Sequence, residues 1–160
     1  MSSFIATAEP AASGAPSGAT VLTNDGWFPD IDLNDLRASM RLDGTVTYER
    51  LRPAVLDAMA SVNAELDAWR VSQQAAGYAE LARVPAPTIG GHSTLKLRYQ
   101  RAVYHLAYAE LTEQYRGYDS TKTGGQNADD LAKTVDEARR NARWAVSDIR
   151  GIPRSTIELI

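Results

Sequence analysis

The sequence predicts an all-α protein, an antiparallel helical bundle of one short and three long helices. A flexible N-terminal arm precedes the bundle and an extended C-terminal tail follows it. Three observations lead there. Long stretches repeat apolar residues every three or four positions, the signature of one-sided helices. Glycines, prolines and capping residues fall between those stretches. Two-residue alternation is confined to the last few positions, "RSTIELI".

Residues 1–26 are rich in Ala, Ser, Gly, Thr and Pro, as in "AEPAASGAPSGAT". Such residues bury too little apolar surface to offset the entropy of ordering, so a flexible arm is expected. Order should begin at Trp27 and Phe28, two large anchors, and continue through residues 27–151 as one helical domain. Asp32 is a good N-cap for a short helix from about Leu33 to Leu42, ending near Gly44. Leu33, Leu36 and Met40 share its inner face.

The second helix is expected from about Glu49 to Ala76, with Thr47 as its cap and Pro53 in or near its first turn. Leu51, Val55, Met59, Val62, Leu66 and Trp69 form a continuous apolar stripe along it. "YAELARVPAPTIGGHS" reads as a connector, because its prolines and paired glycines exclude a long helix. Ser93 is a candidate cap for a third helix from about Thr94 to Tyr118. After a polar loop, Asn127 is a candidate cap for a fourth, running to about Arg150. Asp129 and Asp130 fall where the helix dipole favours them.

The third helix carries two apolar stripes. Leu95, Tyr99, Ala102, Val103, Leu106 and Ala109 lie on one side. Leu97, Tyr104, Tyr108, Leu111, Tyr115 and Tyr118 lie on the other, at about 100° per residue. A surface helix needs only one apolar face. The helix is therefore either central in its own domain or faces a second subunit. Tyrosine is enriched at interfaces, which makes Tyr104, Tyr108 and Tyr115 candidate contact residues. The fourth helix packs Leu131, Val135, Ala138, Ala142, Ala145 and Ile149 inward. Trp144 lies off that stripe, and Lys133, Arg140 and Arg143 lie opposite it. Trp144, Arg140 and Arg143 are further interface candidates, set against plain solvation of a charged face.

Gly151 fits a helix C′ position and Pro153 stops any continuation. Beyond them Arg154, Thr156 and Glu158 alternate with Ser155, Ile157 and Leu159. Residues 152–160 thus read as a strand with no partner in its own chain, and an unpaired strand leaves its backbone groups unsatisfied. Ordering nine residues costs about 10–15 kcal/mol. Burying Ile152, Ile157, Leu159 and Ile160 returns roughly 6–12 kcal/mol. Backbone bonds to another protein's sheet edge would close the gap.

Bulk composition narrows the function. The 160 residues are 44% hydrophobic and 23% charged, ordinary for one globular domain. A net charge of −3 weighs against a dedicated nucleic-acid binder. The chain has no cysteine, which excludes disulfides, thiol nucleophiles and cysteine-type zinc sites. No run of 18 apolar residues is present, so no membrane span is expected. The N-terminus lacks the basic start of a secretory signal, which places synthesis and use in the cytoplasm. The two histidines, His92 and His105, stand apart with no metal-ligand spacing. "STKTGG" lacks the order of a phosphate-binding loop. Adjacent acid pairs point about 100° apart on a helix. No cofactor and no catalytic constellation emerge, and a binding or structural protein is expected.

"WFPDIDLNDLRASMRLDGTV", "VNAEL", "ELTEQYRGYDS" and "RWAVSDIRGIPR", taken in order, resemble the head completion (head stabilisation) proteins of Peduovirus-like temperate tailed phages. The resemblance spans Trp27 to Ile160, with "RASM" standing where the family pattern is charged. It implies a virion protein assembled in the host cytoplasm, which completes the DNA-filled head as an adaptor at the head-tail connector. The implied partners are the portal protein, identical subunits in a twelve-fold ring, and a tail-side connector or terminator protein. DNA would pass near the ring's lumen. The implied portal-docking tail is Ile152, Pro153, Arg154, Ser155, Thr156, Ile157, Glu158, Leu159 and Ile160. Two other classes stay open on the residues alone. One is a helical regulatory or nucleic-acid-binding protein using Lys133, Arg140 and Arg143. The other is a small helical enzyme.

Overall fold

In a computed structural model, residues 20–42, 44–116 and 124–153 are described, side chains at 115–116 and 124–131 excepted. The chain is mostly helical, with one short and three long helices. β1 (Val21–Leu22) pairs antiparallel with β2 (Ile31–Asp32). α1 (Leu33–Met40) and α2 (Tyr48–Ala75) follow. A 3₁₀ turn (Leu81–Arg83) and a hairpin of β3 (Thr88–Ile89) and β4 (His92–Ser93) lead into α3 (Thr94–Arg116) and α4 (Gly124–Arg150).

Among the described residues, packed structure is present ahead of Trp27. Leu22 pairs with Ile31 and is buried. Leu33 N–H donates to the Thr20 carbonyl at 2.8 Å. Asp25 holds the bend between the strands: its Oδ1 accepts from the N–H groups of Trp27 and Phe28, each at 3.0 Å. Gly26 follows with φ +86°, a conformation that costs glycine little. Of residues 20–26 Leu22 is buried in the core and the others are half-buried or exposed. The rest of the expected arm lies outside the described residues.

Asp32 caps α1 as expected, accepting from Asn34 N–H at 2.8 Å. The helix ends before Gly44. Arg41 takes φ +53°, and Leu42 N–H closes back on the Arg37 carbonyl at 3.0 Å. This is the hydrogen-bond pattern that glycine usually completes, made here by a residue with a Cβ, at a cost of about 1 kcal/mol. Thr47 stands at the N-cap of α2 but makes no side-chain cap bond. Pro53 lies inside α2 without ending it. Leu51, Val55, Met59, Val62 and Leu66 are all buried.

The connector holds more structure than expected. Gly90 and Gly91 take φ +59° and +80°, the left-handed pair that a two-residue hairpin turn requires. Thr94 N–H donates to the Pro87 carbonyl at 2.9 Å across this hairpin. Ser93, the expected cap, is instead a β4 residue whose buried Oγ has no hydrogen-bond partner.

α3 is the central helix. Tyr99, Ala102, Val103 and Ala107 are fully buried. Tyr99 meets α2 through Asn63, and Arg98 reaches the Asp148 carbonyl of α4 at 3.1 Å. Near the far end of α3, Glu113 accepts from Arg139. Val135, Ala138, Ala142, Ala145 and Ile149 of α4 are buried, and the alanines let the two helices approach closely. α4 starts at Gly124, so Asn127 is inside the helix and not its cap. Helix propagation, once nucleated, carries the backbone through glycines that local propensity would exclude.

At the C-terminus Gly151 takes φ +68° and Ile152 N–H donates to the Ser147 carbonyl at 2.9 Å. That completes a glycine-terminated helix end as expected. Ile152 and Pro153 are exposed. The expected strand from Arg154 to Ile160 lies outside the described residues.

Candidate interaction surface

Among the described residues an open groove of about 560 Å³ lies between the end of α1 and one face of α3. Met40 and Arg41 form one wall, and Leu97, Gln100, Arg101, Tyr104, His105 and Tyr108 form the other. These α3 residues fall on one face because they are spaced three or four apart. The groove exists because α1 is only eight residues long and covers only part of that face.

Tyr104, an expected interface candidate, is engaged within its own chain. It is only 6% exposed, and its hydroxyl donates to Asp35 Oδ2 at 2.8 Å. Burial, reinforced by Asp35 and Asp32, pushes its pKa well above the ordinary tyrosine range. Tyr104 is therefore occupied within its own chain, joining α3 to α1. Tyr108 is half-buried and lines the groove. Leu97, from the same stripe, is 38% exposed. Leu111 is buried, whereas the Tyr115 side chain and all of Tyr118 lie outside the described residues.

Two arginines of the groove rim, Arg41 and Arg101, outweigh its one carboxylate, Asp35. Arg41 and Arg101 are exposed cations, and Arg101 also touches Asn141 of α4 at 3.4 Å. Burial, with Arg101 adding repulsion, lowers the pKa of His105. At neutral pH its imidazole is uncharged and the arginines set the field. On the opposite flank of α3, Glu110 is pushed up by burial and by the charges of Asp57 and Glu113.

The outer face of α4 is a second surface. Arg140 and Arg143 are exposed, and the Arg140 guanidinium lies over the Trp144 ring at 5.0 Å. Trp144 is half-buried. Sequence reasoning missed Met40, Arg41 and Arg101 as groove residues. Leu97 was visible in the second stripe of α3, but nothing in the sequence marks Arg41 as a left-handed helix end.

Among the described residues no cluster of three or more His, Asp or Glu is placed to hold a metal ion. No helix among them is long and apolar enough to cross a membrane.

The chain is 45% identical over 140 residues to the head completion/stabilization protein of Escherichia phage P2, covering 88% of this chain and 83% of that one. It is 21% identical over 141 residues to the probable head completion/stabilization protein of Haemophilus phage HP1, covering 88% and 93%. No solved structure matches significantly. Residues 22–160 match the profile of the phage head completion protein (GPL), and the chain belongs to that family.

Proposed function

We propose that this protein completes the phage head as an adaptor ring between the portal and the tail-side connector, in the virion and after assembly in the host cytoplasm. The observation that carries the reading is family membership across residues 22–160, which takes in the C-terminal segment as well as the helices. An antiparallel helical bundle forms the ring body, with twelve copies as the expected number. Residues 152–160 leave each subunit and add a strand to the portal. The glycine-terminated end of α4 and the exposed Ile152 fit a segment that departs from its own domain. Many copies docking together make modest affinity per tail sufficient. Tyr108, Trp144, Arg140 and Arg143 stay available to neighbouring subunits or to DNA in the lumen.

A chain ending at Gly151 tests the docking. Its retention on assembled portal should fall at least tenfold while its helical circular dichroism is kept. Unchanged retention removes the tail from the account. The second reading, a helical nucleic-acid-binding regulator, rests on exposed Lys133, Arg140 and Arg143. Salt-dependent DNA binding by the isolated chain would favour it.

A further inference from the structure

We propose that the groove between α1 and α3 receives the outer face of α2 from the next copy of the chain. This rests on the ring reading above and names the contact that would build the ring.

The groove offers an incompletely covered apolar floor with a basic rim. Leu97 and the half-buried Met40 and Tyr108 supply the floor, and Arg41 and Arg101 the rim. The outer face of α2 has the complementary character. Ala60, Ala64 and Val71 are exposed there at helical spacing, Val71 at 54%, with Leu56 at the edge. Alanines at i and i+4 allow a helix to approach within about 8 Å of a partner, axis to axis. The charge is opposite in sign to that of the groove. Between Leu56 and Ala75 the carboxylates are Asp57, Glu65 and Asp67, and the single cation is Arg70. Arg70 is held by Asp25 and Asp67, leaving this stretch of α2 acidic.

The two surfaces lie on different sides of the molecule. Tyr99 of α3 bonds Asn63 on the inner face of α2. Leu97, two residues earlier, points about 200° away around α3. Ala60 and Ala64 face outward from α2. A contact between groove and outer α2 face cannot satisfy itself within one pair. Each copy keeps one free groove and one free ridge, which is the geometry that generates a closed ring.

Leu97→Glu blocks the groove and Ala64→Glu blocks the ridge. Both positions are solvent-exposed, and both carry the same charge so that the blocked faces cannot repair each other. Full-length chains are cross-linked in the presence of assembled portal. The parent should give a ladder of oligomers, each variant alone should give monomer, and an equal mixture of the two should stop at dimer. Arg101→Glu with Ala60→Glu repeats the test if either first variant fails to fold. A variant that still gives the parent's ladder overturns this contact and leaves the adaptor ring standing. A mixture that stays monomeric also overturns it. A parent that gives no ladder overturns the contact together with the ring.

Discussion

Replacing Tyr99 by Ala is expected to cost about 3–5 kcal/mol of folding stability. That is a large share of the roughly 5–15 kcal/mol that holds a domain of this kind together. The reason is position as much as size. Tyr99 is fully buried, and its ring stacks on Phe28 with centroids 4.9 Å apart. Its hydroxyl closes a three-membered polar ring. Asn24 Nδ2 donates to it at 2.8 Å, it donates to Asn63 Oδ1 at 2.6 Å, and Asn63 Nδ2 donates to Asn24 Oδ1 at 2.8 Å. Burial holds the phenol far above its ordinary pKa, so it stays neutral at working pH. Tyr99→Phe separates the two contributions. It keeps the stacking but leaves Asn63 Oδ1 short of a donor, at a cost of about 1–3 kcal/mol. Urea unfolding of the two variants gives both numbers. A Phe variant as stable as the parent would show that the polar ring contributes nothing.

Trp27→Ala should cost a similar amount, about 3–5 kcal/mol. Trp27 packs edge-on against Phe28 at 4.8 Å and against Trp69 of α2 at 5.9 Å. Its indole N–H donates to the Tyr78 carbonyl at 3.2 Å, and its own carbonyl accepts from Leu81 N–H at 2.9 Å. It ties the β1–β2 turn to both the end of α2 and the 3₁₀ turn. The loss should therefore appear first as faster amide exchange at Leu81, ahead of the α3–α4 pair. Trp27→Phe keeps the apolar contact and loses the indole bond, for about 1 kcal/mol. Uniform exchange across all helices in Trp27→Ala would contradict this local role.

The helices were readable because their apolar stripes are long and their stops are glycine or proline. Asp32, Gly151 and the α2 stripe show this at the level of single residues. The short strands were less so. β1 and β2 are two residues each, too short for alternation to register, and they are secured by Asp25 and by the Tyr99 ring from 75 positions away. The hairpin turn was legible in principle, since "TIGGHS" places two glycines where a two-residue turn needs them. The prolines before it drew the reading toward an irregular connector. Arg41 could not be read, because only packing holds a non-glycine residue at positive φ. Tyr104 illustrates the limit of stripe arguments. A tyrosine on a second apolar face can be satisfied by a short helix of its own chain, and α1 is placed there by tertiary structure alone.

The groove has the same origin. Leu97 and Tyr108 stood out as surplus apolar surface, but the basic rim needs Arg41 and Arg101 brought together from different helices. The acidic outer face of α2 was hidden for another reason. Its exposed Ala60 and Ala64 carry no signal until burial separates the two sides of the helix.

The most direct measurement is electron cryomicroscopy of the full-length protein bound to assembled portal. The account predicts a ring of subunits beneath the portal, with density for residues 152–160 running along a portal strand and α2 of each subunit against the α1–α3 groove of the next. A ring whose C-terminal residues lie away from the portal, or subunits attached singly, would contradict it.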